Sequence, residues 1–114
     1  MKIAVTSTGP TLEHFTGARV GHCRYLLIID PDTMDYEIMQ NPVVALRGPA
    51  AGKAFLQVLL QNDVHIVLVE SCGSNTRKIF EVLGDAGILI RVGMTGSVRS
   101  VVEQFKHSCC SVLS

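Results

Sequence analysis

The chain has 114 residues, ten basic against ten acidic, a hydrophobic fraction of 47% and no Trp. That length suits one domain with its own core, the hydrophobic fraction excludes a disordered chain, and no apolar run approaches the ~18 residues a membrane helix needs. The charges cancel and no Lys/Arg-rich run occurs, which argues against the phosphate footprint of a nucleic-acid binder.

Lys2 to Ser7, small and β-branched and closed by Gly9-Pro10, predicts a central strand. Its apolar residues give way at once to Thr6-Ser7-Thr8, so no secretory segment is read here and a cytoplasmic location is expected. The four cysteines, Cys23, Cys72, Cys109 and Cys110, form no C-x-x-C pair and are expected to be reduced. Thr8 to Arg24 has no helical period and reads as a long loop, the first place to look for a site. Lacking an apolar core of its own, it is also expected to be the most mobile ordered segment.

Tyr25 to Asp30 predicts a second buried strand. Pro31-Asp32-Thr33-Met34 has turn chemistry, and Asp35 to Gln40 places Tyr36, Ile38 and Gln40 on one face, completing a hairpin. Ala50 to Asn62 carries Ala51, Phe55, Val58 and Leu59 at helical spacing, and Val64 to Val69 is a β-branched run suited to a strand covered on both sides. A helix from Ser74 through Ala86 presents Thr76, Ile79, Phe80 and Leu83; Gly87 supplies its left-handed end, with Ile88 reaching back to Leu83. Ile88 to Val92 is the last strand. Ser97 caps a helix carrying Val98, Val101, Val102 and Phe105.

Right-handed crossovers then give a mixed sheet of order 3-2-1-4-5 in a three-layer α/β/α fold, with only the second strand reversed. One consequence concerns function. With that strand reversed, the Thr8 to Arg24 loop and the N-termini of all three predicted helices share one edge of the sheet. His14, Arg19, His22, Cys23 and Arg24 come to that edge from the loop; Arg47 and Lys53 come from the first helix, and Cys72, Ser74, Asn75 and Arg77 from the second. Helix N-termini add free N–H groups and positive potential, which favours an anionic ligand. His65, His107, Cys109 and Cys110 fall on the opposite edge.

Two guanidinium groups, an imidazole and a thiol lie within Arg19-Val20-Gly21-His22-Cys23-Arg24. Arginine and protonated histidine attract anions, and imidazole and thiolate are borderline-soft ligands, so this mixture suits an anionic, sulfur-rich metal cluster better than a simple phosphate. The plainer reading is a basic loop with one semi-buried cysteine. His22 and Cys23 reach a single metal only if the loop bends between them, because neighbouring side chains of an extended chain diverge.

In these motifs the chain resembles the dinitrogenase iron-molybdenum cofactor biosynthesis family, the nitrogenase accessory factor-like domains. The likeness runs from Lys2 to about Lys106, as a single domain whose tail, Ser108 to Ser114, lies outside the pattern. It rests on Lys2-Ile3-Ala4-Val5-Thr6, the Arg19 to Tyr25 motif, Asn41-Pro42, Gly48-Pro49-Ala50-Ala51-Gly52, the Gly73 junction, Ala86-Gly87-Ile88 and Gly96-Ser97-Val98. The resemblance implies a ribonuclease H-like motif fold and non-catalytic binding, carriage or storage of an iron-molybdenum cofactor, its precursor or a related molybdenum or iron sulfide cluster. Partners would be cluster donor and acceptor proteins, with no nucleic acid and no membrane. Carried over by position, Arg19, Gly21 and Cys23 match the loop motif, and Gly48, Gly52 and Gly73 match the glycines opening the first two helices. Val20, His22, the acidic Glu70 and the extra thiol Cys72 depart from the pattern.

The site read from these motifs gathers the Arg19 to Arg24 loop, the Gly48 to Lys53 turn and the Cys72 to Asn75 turn. Arg19, Arg24 and Lys53 would supply charge and Cys23 the direct metal ligand, with His22 as a second ligand or anion contact. Backbone N–H groups at Gly52, Gly73 and Ser74 would meet cluster sulfurs. Other readings stay open. Cys72, between a strand and a helix N-terminus, could serve a thiol-dependent enzyme, and the domain could be a ligand-free regulator or scaffold. Asp30, Asp32 and Asp35 lack calcium-loop spacing and read as turn residues. Cys109-Cys110 with His107 lacks the ligand separation of structural zinc sites and reads as an incidental tail.

Overall fold

The structure, a computed structural model, describes residues 2–16, 23–41, 48–70 and 77–113. Five strands, β1 (Lys2–Ser7), β2 (Tyr25–Ile29), β3 (Tyr36–Gln40), β4 (Val64–Leu68) and β5 (Leu89–Arg91), form one sheet of order β3-β2-β1-β4-β5. β1 pairs antiparallel with β2, and β2 with β3, whereas β1–β4 and β4–β5 are parallel. Only β2 is reversed, as the sequence predicts. The helices are α1 (Gly48–Gln61), α2 (Arg77–Asp85) and α3 (Val98–Leu113).

The period-2 alternation of the strands divides the core in two. Ala4, Leu26, Ile28 and Val67 face α1 and α2, where they meet Ala51, Phe55, Leu59, Ile79 and Leu83. Ile3, Val5, Leu27, Ile29, Ile66 and Leu68 face α3 and meet Val98, Val101, Val102 and Phe105. The three-layer arrangement follows, because each helix has one apolar stripe and the central strands have two apolar faces. No helix among the described residues is long and apolar enough to cross a membrane.

Helix ends follow the local chemistry. α2 closes with Gly87 at φ 87°, its N–H donating to Gly84 O at 3.0 Å and that of Ile88 to Leu83 O at 3.0 Å, the paired bonds of a Schellman ending. α3 opens on Ser97, whose Oγ accepts the Ser100 N–H at 3.2 Å, as expected of an N-cap. In the hairpin, Asp30 Oδ1 accepts the Asp32 N–H at 3.0 Å and Thr33 Oγ1 the Asp35 N–H at 3.2 Å. These residues serve the turn, where Met34 takes φ 63°.

Two expectations are corrected in detail. The last strand is Leu89–Arg91 rather than 88–92, because Ile88 is engaged in closing α2. Residues 108–113, read from the sequence as a tail, continue α3. Ile38, on the α3 face of edge strand β3, is 53% exposed, while Met39 on the opposite face packs against the α1–α2 core. The expected start of the second helix, Ser74, lies outside the described residues.

Two glycines three residues apart give an opposed test. A Cβ at Gly84 or at Gly87 meets nothing within 4 Å, so only backbone conformation decides. Gly84→Ala, in α2, is expected to stabilise by roughly 0.5–1 kcal/mol. Gly87→Ala, at positive φ, is expected to destabilise by roughly 1–2 kcal/mol. Urea denaturation of the two variants checks the opposite signs.

Candidate functional site

The strands end in polar residues where the sheet order turns. Among the described residues the buried polar side chains are Thr6, Ser7, Thr16 and Asn41. All four stand at the C-terminal edge of β1, the edge between β2 and β4 where the chain leaves the sheet in opposite directions. In an open α/β sheet that crevice is where ligands sit.

Ser7 begins the wall. Its Oγ donates to Gly9 O at 2.7 Å and accepts the Gly9 N–H at 3.2 Å, turning the chain sharply out of β1. A Cβ on Gly9 would overlap the His14 ring, so any larger residue there would have to displace that exposed side chain. His14 Nδ1 lies 2.7 Å from Thr11 Oγ1. Leu12 drops into the α3 core at 3% exposure, and the loop then lies against α3: Val98 N–H donates to His14 O at 2.8 Å and Arg99 N–H to Leu12 O at 2.9 Å. Arg99 also pairs with Glu13 at 2.8 Å.

Those contacts correct two expectations. Residues 8–16 do not lack core anchorage, since Leu12 and Thr16 are buried and the backbone is bonded across to α3. The N-terminus of α3 does not offer free N–H groups to an anion, because loop carbonyls and Ser97 already accept them.

Thr16 joins the parts of the site. Its N–H donates to Gly96 O at 3.1 Å, its hydroxyl lies 3.1 Å from Met94 O and 3.3 Å from Glu70 Oε2, and its carbonyl accepts the Cys23 S–H at 3.2 Å. Cys23 is 1% exposed. Asn41 holds it from the other side: Asn41 Nδ2 donates to Cys23 O at 2.8 Å, and the Asn41 N–H to Arg24 O at 3.0 Å. Burial pushes the Cys23 thiol above its ordinary value, a hydrogen bond with Thr6 pulls it down, and the Glu70 charge adds to the rise.

Arg24 and Lys53 are both exposed. Gly48 opens α1 as expected, but the contact expected from Gly52 is corrected. Its N–H lies four residues into α1 and belongs to the helix's own hydrogen-bond ladder. What Gly52 provides is close packing, since a Cβ there would come within 3.3 Å of Val82 Cγ2 on α2. Arg19, Gly21, His22, Cys72, Gly73 and Ser74 lie outside the described residues. Beside Cys23 the edge opens into a cleft of about 400 Å³ lined by Arg24, Tyr25, Ile38, Met39 and Gln40. No group of three or more His, Cys, Asp or Glu that could hold a metal ion occurs among the described residues.

The family model described as dinitrogenase iron-molybdenum cofactor matches residues 1–108. The chain belongs to that family. Among solved structures it is similar to the apo form of the orange protein from Desulfovibrio gigas, with 30% identity and a TM-score of 0.78 over 94% of this chain and 88% of that one. PH0822 shares 19% identity with a TM-score of 0.74, over 95% of this chain and 92% of that one. A putative NifB protein from Thermotoga, of the DUF35 family, shares 24% identity with a TM-score of 0.68, over 93% and 87%. These last two likenesses concern the fold alone. Among curated proteins no sequence matches.

Thr6, Thr16, Asn41 and Glu70 escape motif reading as site residues. Their signals are present in the sequence: polar residues closing an apolar strand, an Asn before Pro, and an acid directly after a β-branched run. Nothing local says that these signals converge.

The raised Cys23 value makes stability depend on pH. Between the ordinary value of 9.0 and the higher folded one, the native state keeps a proton that the unfolded state has lost. This contribution is therefore complete below the ordinary value and is lost as pH rises through the folded one. The stability difference between wild type and Cys23→Ala should hold steady from pH 7 to 8 and shrink above pH 9 in reducing urea titrations. A difference that grows with pH would contradict the assignment.

Proposed function

We propose that this domain is a non-catalytic carrier or store for an anionic metal–sulfur cluster, an iron-molybdenum cofactor, its precursor or a related molybdenum or iron sulfide, with Cys23 as the direct metal ligand. The observation that carries the reading is the Cys23 thiol, set beside the described buried polar side chains at the switch point of the sheet. Family membership supports the class of cargo. So does the chemistry of the Arg19 to Arg24 motif, in which cationic residues flank a soft ligand in sequence.

Ligation has a definite local cost. The S–H that donates to the Thr16 carbonyl is replaced by a sulfur–metal bond, the proton leaves to solvent, and Thr16 O loses a buried donor. A cargo must offset that loss, which a metal–thiolate bond does and a diffuse charge contact does not. Arg19, Arg24 and Lys53 act at longer range on the net negative charge, His22 serves as a second ligand or anion contact, and backbone N–H groups at Gly73 and Ser74 meet cluster sulfurs. Protein partners that deliver and receive the cluster follow from a carrier role, and no step of chemistry on the cargo is required of this chain.

The test is anaerobic loading followed by iron and molybdenum analysis per chain after gel filtration at low and high salt. Cys23→Ser, which preserves a donor to Thr16 O, should lose most of the cluster at either ionic strength. Arg19→Ala should weaken retention mainly at low salt, where charge contacts are least screened. Replacing Cys109 and Cys110 together should change nothing. Loss in that double variant with retention in Cys23→Ser overturns the reading.

A further inference from the structure

Glu70 is the acidic departure from the family motif, and it is fixed in place. Its carbonyl accepts the Gly93 N–H at 2.9 Å, and the preceding Val69 is bonded on both sides, its N–H to Arg91 O at 2.9 Å and its carbonyl to the Met94 N–H at 3.1 Å. The half-buried carboxylate lies 3.3 Å from the Thr16 hydroxyl, and the same Thr16 accepts the Cys23 S–H. A carboxylate and a thiol thus share one anchoring residue in the crevice.

Among the described residues, little offsets that carboxylate at close range. The N-terminal amides of α3 are engaged by Leu12 O, His14 O and Ser97. The cations on this edge within the described residues, Arg24 and Lys53, are exposed, and salt screens exposed charges. Carboxylate and thiolate are both acceptor-only anions: they bind a cation together and repel the sulfide face of an anionic thiometallate.

We infer that Glu70 filters cargo by charge, so that the crevice receives a metal–sulfur cargo with a thiophilic metal cation facing Cys23 and disfavours a bare thiometallate anion. The inference rests on the carrier reading above and adds to it the orientation and charge of what is carried. Glu70 is a specificity-determining residue in this account, acting on whatever metal Cys23 meets.

Two probes of opposite charge test it, cadmium ion as the thiophilic cation, followed by its thiolate charge-transfer absorption, and tetrathiomolybdate as the dianion, followed by its visible spectrum. Both are titrated anaerobically into the full chain carrying Cys109→Ser and Cys110→Ser. Glu70→Gln keeps an acceptor for the Thr16 hydroxyl and removes the charge. It should weaken cadmium binding about tenfold or more and strengthen tetrathiomolybdate binding, as loss of one unit charge about 10 Å away at an effective dielectric of about 20 implies. Thr16→Val, which breaks the hydrogen bond and keeps the charge, should move both affinities in the same direction, as should any loss of fold. If both probes bind and Glu70→Gln leaves the ratio of their affinities unchanged, the charge filter is wrong and the carrier reading stands. If neither probe binds wild type or any variant, the carrier reading fails and the filter with it.

Discussion

The site hangs on the peptide and hydroxyl of Thr16. This buried residue bonds the β5–α3 connection through its N–H, the segment entering β2 through its carbonyl, and Glu70 or Met94 through its hydroxyl. Buried polar groups left without partners cost roughly 1–3 kcal/mol each, so these bonds are constraints as much as contributions. Together they require the loop after β1, the Cys23 segment and the ends of β4 and β5 to take up one arrangement, or to exchange one partner for another of comparable strength. A metal at Cys23 is such an exchange.

The sheet makes that convergence possible. With β2 reversed between two strands of the opposite direction, the chain returns to the edge it left at Ser7 before Cys23 is reached, and Asn41 returns there again at the end of β3. Cys23 is therefore held from both sides by residues far away in sequence, Thr16 through its thiol and Asn41 through its carbonyl. The loop after β1 is anchored for the same reason. Leu12 completes the α3 core, and its carbonyl and that of His14 cap α3, so residues 8–16 are packed as part of the domain.

Charge in this domain is organised locally rather than globally. A net charge of zero gives no long-range field to steer a partner, and what distinguishes the site is the placement of a few groups: exposed Arg24 and Lys53 outside, a buried thiol and a half-buried carboxylate inside. Burial and the Glu70 charge both push the Cys23 thiol above its ordinary value, against a hydrogen bond with Thr6 that pulls it down.

The sequence by itself determines the sheet order, the two-faced core, the Gly87 ending of α2 and the Ser97 start of α3. Each depends on periodicity or on a conformational preference carried by neighbours: the β-branched run of β4, the i, i+3, i+4, i+7 stripe of Val98, Val101, Val102 and Phe105, and the left-handed Gly87. It also marks Cys23 and its basic flanks as chemically unusual, and the family as one that handles a metal cofactor. Only the tertiary structure decides that the Cys23 thiol is buried against Thr16, that Glu70 shares that anchor, that the amides of α3 are occupied, and that Gly52 serves helix packing instead of ligand contact. The physical reason is range. Periodicity and capping act within a few residues and are written locally, whereas the partner of a buried polar group is chosen by strand order and loop return, and Thr16 meets Glu70 across 54 positions of sequence.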